Sequence, residues 1–425
     1  MFTIHKVTVK KFWDCHNASF EFHDDVNIII GRNGTGKTTF MNILNAVLSV
    51  DIDGLIENDF ESVEISLTEG KKRKTIKAKK IHSANTPFQQ VEYQVSSRKY
   101  HLNMVASDDK RVQLHYRRRF LEASDELRTL LSSFVSLSSL SVYRLRSSED
   151  MEVRDRSGRR HVSPVDYKLT QLTSQLTQYQ LELSQKARSI SNVLQKDVLA
   201  SLLYSDAKED FRFPSSNSFD KNKEKSKLLS AYSRLGALDT GVRKRISHHI
   251  SSIDTAVNKL NEAQKSKTEE AFRDIDYSAL DAFNRTQRII DKSLDAENDI
   301  KELFTEVNLF LSILKEFIPE KKFELENGEL TVENVNHDLI PIEKLSSGEK
   351  QLLILLIETL LQRRQPHVYL TDEPELSLHI AWQRNIIPAI KQLNPNSQVI
   401  AATHSPEVAS KYRDFIFDMR NVVSE

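Results

Sequence analysis

The sequence holds a single cysteine, Cys15, among its 425 residues. One thiol excludes an intrachain disulfide and any zinc site built from several cysteines, and it reads as a structural group. No stretch of about 18 apolar residues occurs, which argues against a membrane-spanning helix. The N-terminal segment MFTIHKVTVKKFWDC alternates like a strand and lacks the apolar centre of a signal peptide. An excess of one charge is also missing: Lys+Arg and Asp+Glu each number 60, for a formal net charge of zero. Nothing global therefore demands a nucleic-acid partner, although a local basic patch is compatible with this balance. A charged fraction of 28% and a mean hydropathy of −0.46 mark a soluble chain. The expectation is a cytosolic, cytoplasmic protein with no membrane partner. Its length suits one large head domain plus an insertion.

Residues 1–50 read as strand, strand, loop, helix. Ile4 to Val9 alternates apolar and polar, and Val26 to Ile30 is a nearly continuous apolar run, as expected of a buried strand. The segment GRNGTGKTT follows, and then Phe40, Ile43, Leu44, Val47 and Leu48 recur at helical spacing. Strand-like stretches return at Val63 to Leu67, Thr75 to Ala78 and Val91 to Val95, with Lys71 to Lys74 expected at a solvated hairpin tip. Phe134 to Leu145 reads as a further strand, followed by an Arg-rich polar loop through His161.

From about 165 the pattern changes. Leu169, Leu172, Leu176, Tyr179 and Leu183 step by 3, 4, 3 and 4, the coiled-coil spacing, and Ala187, Ile190 and Leu194 continue the stripe loosely. At 1.5 Å per residue this first stripe would span roughly 60 Å, either as a short antiparallel arm or as the core of a bundle. The polar segment 206–228 reads as a loop. Helical patterning returns near 229 and runs with breaks to Phe317, and Asn327-Gly328 between Phe323–Leu325 and Leu330–Val332 signals a hairpin turn. The organisation is thus a head's N-terminal half over 1–164, a helical insertion over 165–318 and the head's C-terminal half over 319–425.

Four short pieces carry the chemistry. Gly31-Arg32-Asn33-Gly34-Thr35-Gly36-Lys37-Thr38 fits G-x-x-x-x-G-K-[ST] and stands between a buried-type strand and an amphipathic helix, the context the motif requires. Glycines let backbone N–H groups turn inward around phosphate oxygens, and the helix N-terminus adds a partial positive charge. Lys37 then reaches the β- and γ-phosphates, and the Thr38 hydroxyl ligates Mg²⁺. His367 to Glu373 is an apolar strand ending in two carboxylates. Asp372 would hold Mg²⁺, directly or through water, and Glu373 would polarise the attacking water as general base. Leu345-Ser346-Ser347-Gly348-Glu349-Lys350-Gln351 ends 21 residues before Asp372 and opens an apolar helix. Its Ser-Ser-Gly turn offers hydroxyls and N–H groups to an anion, and reads equally well as a helix N-cap. After the strand Val399 to Thr403 comes His404, placed to donate a hydrogen bond to a γ-phosphate.

These four pieces, in this order, resemble the ABC ATPase superfamily. The resemblance implies an α/β head with a mixed sheet and a P-loop core, ATP and Mg²⁺ as cofactors, and ATP hydrolysis. It makes Gly31 to Thr39 (Thr39 included) the Walker A motif. Ser346, Gly348 and Glu349 become the signature in its LSSGE form, and Asp372 and Glu373 the Walker B pair. Glu375 to His379 becomes the D-loop and His404 the switch histidine. A glutamate where transporter signatures carry glutamine, together with the insertion splitting the head, looks like the SMC, RecF and OLD branch. In that geometry Ser346 caps the γ-phosphate held by a second subunit, so the chain would act as a homodimer or higher homo-oligomer with ATP sandwiched between heads. The motifs lie in the first 50 and last 90 residues. The Q-loop stays open among Gln89, Gln90 and Gln94, and Lys11 or Phe12 are open as adenine contacts.

Three roles are compatible with this machinery. The chain looks like the stand-alone ATPase subunits of bacterial anti-phage systems, those of the PARIS system (AriA) in particular. Such a subunit is a sensor or scaffold that holds and releases a separate effector, a TOPRIM nuclease or, alternatively, an HNH nuclease. A phage-encoded trigger protein or DNA would set it off. Only 21 residues follow His404, so the nuclease is expected on a partner chain. The second role is a RecF- or SMC-like DNA-binding ATPase in DNA repair, with Arg117, Arg118, Arg119, Arg144, Arg146, Arg154, Arg156, Arg159 and Arg160 as a phosphate-binding surface. A transporter's ATPase subunit is the third, disfavoured by the long helical insertion.

Overall fold

Alternation in the N-terminal third builds an antiparallel sheet, and continuous apolar runs elsewhere build a parallel one. The computed structural model describes residues 1–13, 16–81, 89–104, 124–140, 151–155, 158–201, 219–234, 238–266, 272–273, 275–326 and 328–424, with the backbone alone at 139–140, 151–155, 158–162, 201, 234, 266 and 424. These fall into two units, Met1–Tyr179 with Glu306–Glu425, and Gln180–Thr305. Cys15, Asn327 and Arg117, Arg118, Arg119, Arg144, Arg146 and Arg156 lie outside the described residues, as do the side chains of Arg154, Arg159 and Arg160.

In the first unit, β1 (Thr3–Phe12), β2 (His16–Glu21), β4 (Ser62–Glu69), β5 (Lys72–Ile81), β6 (Gln90–Val95) and β7 (Arg98–Asn103), with the short C-terminal β16 (Val423–Ser424), form one sheet in the order β16-β2-β1-β4-β5-β6-β7. Ile4, Val7, Val9, Val63, Ile65, Ile76, Ala78 and Val91 turn to one face and are fully buried. At about 1.5–3 kcal/mol per large apolar side chain, this face supplies much of the driving force. The expected hairpin tip at Lys71–Lys74 is shorter than the charge run suggested. Gly70, with φ of +57°, makes the turn, and Lys72 to Lys74 already belong to β5. Lys74 Nζ sits 3.2 Å from the Phe134 ring centroid, an attraction that keeps a charged residue in the strand.

The second sheet is parallel, ordered β15-β3-β14-β13-β8 from β15 (Ile416–Asp418), β3 (Val26–Ile30), β14 (Ser397–Ala402), β13 (His367–Asp372) and β8 (Leu137–Leu140). Because the strands run the same way, the loops after β3, β13 and β14 emerge at one edge, where ligands bind in open α/β sheets. The helix α1 (Lys37–Ser49) packs on β13, β14 and β8, with Phe40, Ile43, Leu44 and Val47 buried. Buried Gln398 on β14 fastens the two sheets: its side-chain nitrogen donates to the carbonyls of Ile4 (2.7 Å) and His23 (2.8 Å), and its oxygen accepts from Ile4 N (2.8 Å).

Two expectations fail here. Part of the Arg-rich "loop" is an antiparallel strand pair, β9 (Met151–Asp155) and β10 (Gly158–Val162), since the backbone ladder of such a pair does not require apolar side chains. Part of the polar segment 206–228 is helix: Lys221 opens α5 (Lys221–Arg234), with Asp220 accepting from the N–H groups of Asn222 and Lys223. The leucine stripe belongs to α4 (Pro164–Ser201), started by Ser163, whose hydroxyl accepts from Asp166 N at 3.1 Å, and by Pro164 at the first turn.

In the second unit, α5 packs with α6 (Thr240–Ser266) and α7 (Tyr277–Leu303). Leu228, Ala231, Ile246, Ile250 and Ile290 form one apolar core, and Ile253, Val257, Leu260 and Leu280 belong to another. A Lys292–Asp197 ion pair of 2.6 Å ties α7 to the distal part of α4.

Candidate functional site

The loop between β3 and α1 is shaped by glycine. Gly34 and Gly36 have φ of +81° and +89°, a region costly for any side chain. A Cβ on Gly36 would also stand 2.6 Å from the Phe12 ring and 3.1 Å from Trp13 Cη2, so this position has no room for one. The turn is closed by Thr35, whose N–H and hydroxyl both donate to the Arg32 carbonyl, at 3.2 and 2.9 Å. The result is a cradle of backbone N–H groups at the start of a helix, a ready anion site.

Lys37 is only 4% exposed. Its Nζ donates to Gly31 O (3.0 Å) and Arg32 O (3.4 Å), and lies 2.6 Å from His404 Nε2. An ammonium has donors only, so the ring nitrogen accepts in this arrangement. Burial lowers the Lys37 pKa, and the carboxylates of Glu373, Asp372 and Glu375 work against that shift. His404 Nε2 is in turn 3.5 Å from Glu373 Oε1. Lys37, Glu373 and His404, three residues singled out from sequence, thus meet at one point. Asp372 ends β13 directly before Glu373.

Glu373 sits at φ +51°, a left-handed conformation unusual for a residue with a side chain and more so before proline, here Pro374. Such a residue costs on the order of 1–3 kcal/mol and persists only where its surroundings fix it. Its N–H donates to Ala402 O at 2.8 Å, which extends the β13–β14 ladder by one rung.

The residue that fixes the switch loop is the first of the D-loop segment, a role the sequence did not disclose. Glu375 is 9% exposed, and its Oε1 accepts from Thr403 Oγ1 (2.6 Å), His404 N (2.9 Å) and Ser405 N (3.1 Å). Gln383 completes the lock: its oxygen accepts from Ser405 Oγ at 2.7 Å, and its nitrogen donates to Leu378 O at 3.1 Å. The loop after β13 and the loop after β14 therefore form one hydrogen-bonded piece.

Ser346, Gly348 and Glu349 have other partners. Ser346 and Glu349 form a reciprocal capping box that opens α8 (Ser347–Leu361), and Glu349 also pairs with Lys321. Among the described residues, none of these bonds goes to Lys37, Glu373 or His404. Gly348 lies against its own chain: a Cβ there would be 2.5 Å from Ser377 O. Gly348→Ala should therefore destabilise the head by about 1–3 kcal/mol, the usual cost of overpacking. A thermal melt unchanged from wild type would show that Ser377 yields. Lys350, the next signature residue, is paired at 2.7 Å with Asp166 at the start of α4.

Gln89, Gln90 and Gln94 are not at the phosphate loop. Gln90 and Gln94 are on β6, where Gln90 donates to Asn103 Oδ1 and Gln94 to Ser96 O. The strand that lies beside β13 is β8 instead, with Leu140 opposite Thr371. Near the adenine candidates, Lys11 and Trp13 both have positive φ, and Trp13, 40% exposed, stacks on Phe12 at 4.9 Å.

As donors, the Thr38 hydroxyl and the Asp372 carboxylate are hard oxygens of the kind that bind Mg²⁺. Among the described residues no three His, Cys, Asp or Glu side chains form a metal cage. The donor set fits a Mg²⁺ held jointly by these two oxygens, phosphates and water.

A family model described as an AAA ATPase domain matches residues 2–409. Over 155 residues the chain is 30% identical to the retron Ec83 probable ATPase of Escherichia coli, a stretch covering 31% of this chain and 29% of that protein. Over 83 residues it is 36% identical to an uncharacterized ABC transporter ATP-binding protein, YvrA, of Bacillus subtilis (strain 168), covering 19% and 18%. The chain thus spans less than a third of either relative. Among solved structures, the Smc head domain of Pyrococcus furiosus with an extended coiled coil, bound to the C-terminal domain of ScpA, aligns over 96% of this chain and 92% of that one, at 16% identity and a TM-score of 0.41. Among the described residues no helix is long and apolar enough to cross a membrane.

Proposed function

The chain belongs to the AAA ATPase domain family, with an α/β ABC-type head and a helical insertion, and from that premise we propose that it hydrolyses ATP as the sensor or scaffold subunit of a bacterial anti-phage system. The observation carrying the ATPase reading is the convergence of Lys37, Glu373 and His404 beside the glycine-shaped loop. The loop's N–H groups and Lys37 bind the phosphates. Glu373 takes the proton of the attacking water, and His404 holds the terminal phosphate. Thr38 and Asp372 would hold Mg²⁺, which neutralises phosphate charge. Exposed Trp13 offers a stacking face for the base.

Ser346 and Glu349, whose own hydrogen bonds go to each other and to Lys321, act on nucleotide held by a second copy, so ATP joins two heads into a homodimer or larger homo-oligomer. The γ-phosphate is then the contact that separates the joined state from the open one. The defence role leans on the partial likeness to the retron ATPase. In it the chain works in the cytoplasm and holds a separate effector, a TOPRIM nuclease by preference and an HNH nuclease otherwise, until a phage protein or DNA releases it.

The test is a pull-down of tagged protein from its native operon context, with mass by light scattering, with and without ATP. A stoichiometric nuclease in a complex larger than a dimer is the expected result. A bare protein that dimerises only with ATP and retains DNA in a salt-sensitive manner would replace the defence role with RecF-like repair.

A further inference from the structure

Beside the phosphate loop the head has a cavity whose charge the ATPase chemistry leaves unused. It measures about 580 Å³ and lies between Gly31–Arg32, the turn after β14 and the segment around β15. Three arginines line it: Arg32, Arg413 and Arg420. Arg420 is committed, since its Nη2 is 2.6 Å from Asp418 Oδ2 and its Nε contacts both carboxylate oxygens at 3.2 Å. Among the described residues Asp418 is the only acid in the lining, so that pair cancels. Among the described residues the side chains of Arg32 and Arg413 form no ion pair or hydrogen bond, and two positive charges stay uncompensated. His404 forms a wall shared with the Lys37 site, whereas Lys37 and Glu373 do not line this space.

We propose that this cavity is a second oxyanion site, taking the phosphate group of a small ligand on Arg32 and Arg413. Guanidinium forks match phosphate oxygens in geometry and stay charged at any physiological pH, which makes them the usual phosphate partners. The volume is that of a small-molecule pocket rather than of a single ion. Apolar walls from Ile30 and Ile416 give the rest of such a ligand a surface to cover. Two sources share this chemistry: inorganic phosphate leaving the adjacent hydrolysis site past His404, and a nucleoside monophosphate binding in its own right. Neither binding event requires that the chain hydrolyse ATP, so the site stands or falls separately from the ATPase reading.

The experiment uses the full chain with Lys37→Ala, which removes the phosphate loop's own cation. Inorganic phosphate and AMP are each titrated by calorimetry at constant ionic strength. Both Arg413→Gln and Arg32→Gln are made in the same background, and thermal melts confirm that each variant is folded. Phosphate or AMP should bind Lys37→Ala, and each arginine variant should weaken that binding by about tenfold or more. Arg413→Lys should recover part of it. AMP binding more tightly than phosphate assigns a nucleotide ligand, and equal affinity assigns the hydrolysis product. No binding of either probe to Lys37→Ala overturns the site, as does binding that survives both arginine substitutions unchanged. Should Lys37→Ala not fold, Thr38→Ala serves as the background with the same outcomes.

Discussion

Glu373→Gln should lower steady-state ATP hydrolysis by about two to four orders of magnitude while ATP stays bound. The two side chains are nearly isosteric, so the left-handed backbone at φ +51° and the bond to Ala402 O are retained. The amide simply cannot accept the proton of water. Nucleotide affinity should hold or rise. Glu373 is the largest of the carboxylate influences that keep Lys37 protonated against its burial, and a bound polyphosphate replaces that influence with more negative charge. Removing the carboxylate also removes a repulsion against the phosphates. The variant should therefore accumulate as an ATP-joined species by light scattering. Lys37→Ala should instead fail to retain ATP at the phosphate loop and stay unjoined. Hydrolysis by Glu373→Gln within twofold of wild type would show that another group is the base.

The parts of this site that sequence discloses are those whose geometry is local. A buried strand, a glycine turn and an amphipathic helix follow one another between Val26 and Leu48, and each fixes the next. The capping box is equally local, since Ser346 and Glu349 are one helical turn apart. What sequence does not disclose depends on which strands become neighbours. Glu375 and Ser405 are 30 residues apart, and nothing in the run DEPEL says that Glu375 turns inward while Glu373 faces His404. Only the parallel pairing of β13 with β14 brings the two loops together. The same reason explains the glutamines: Gln90 and Gln94 occur where strand residues alternate, but the topology puts β6 in the antiparallel sheet, away from β13, whose neighbours are β14 and β8. The start of α5 was lost differently, because its lysine-rich first turns show no apolar stripe and its signal is one capping aspartate, Asp220.

Removing the inward acid should then disable the switch loop without touching the phosphate cradle. In Glu375→Ala three donors lose their acceptor at once: the Thr403 hydroxyl and the N–H groups of His404 and Ser405. Each such bond to a carboxylate contributes about 1.5–3 kcal/mol, and donors left buried cost a similar amount until water reaches them. Thr403 is fully buried, so relief must come from movement of the loop itself, which carries His404 with it. A shift of His404 away from the terminal phosphate should lower kcat by about 10- to 100-fold, equivalent to roughly 1.4–2.7 kcal/mol of transition-state stabilisation. The KM for ATP should change little, because the loop over Gly31 to Thr38 has its own bonds. Glu375→Gln separates geometry from charge: its amide oxygen still accepts the N–H bonds, so kcat should stay within about tenfold of wild type. Loss of KM and kcat in parallel, with a lowered melting temperature in both variants, would mean that Glu375 only supports the fold. A kcat defect confined to the alanine variant would identify the D-loop glutamate as the residue that positions the switch histidine.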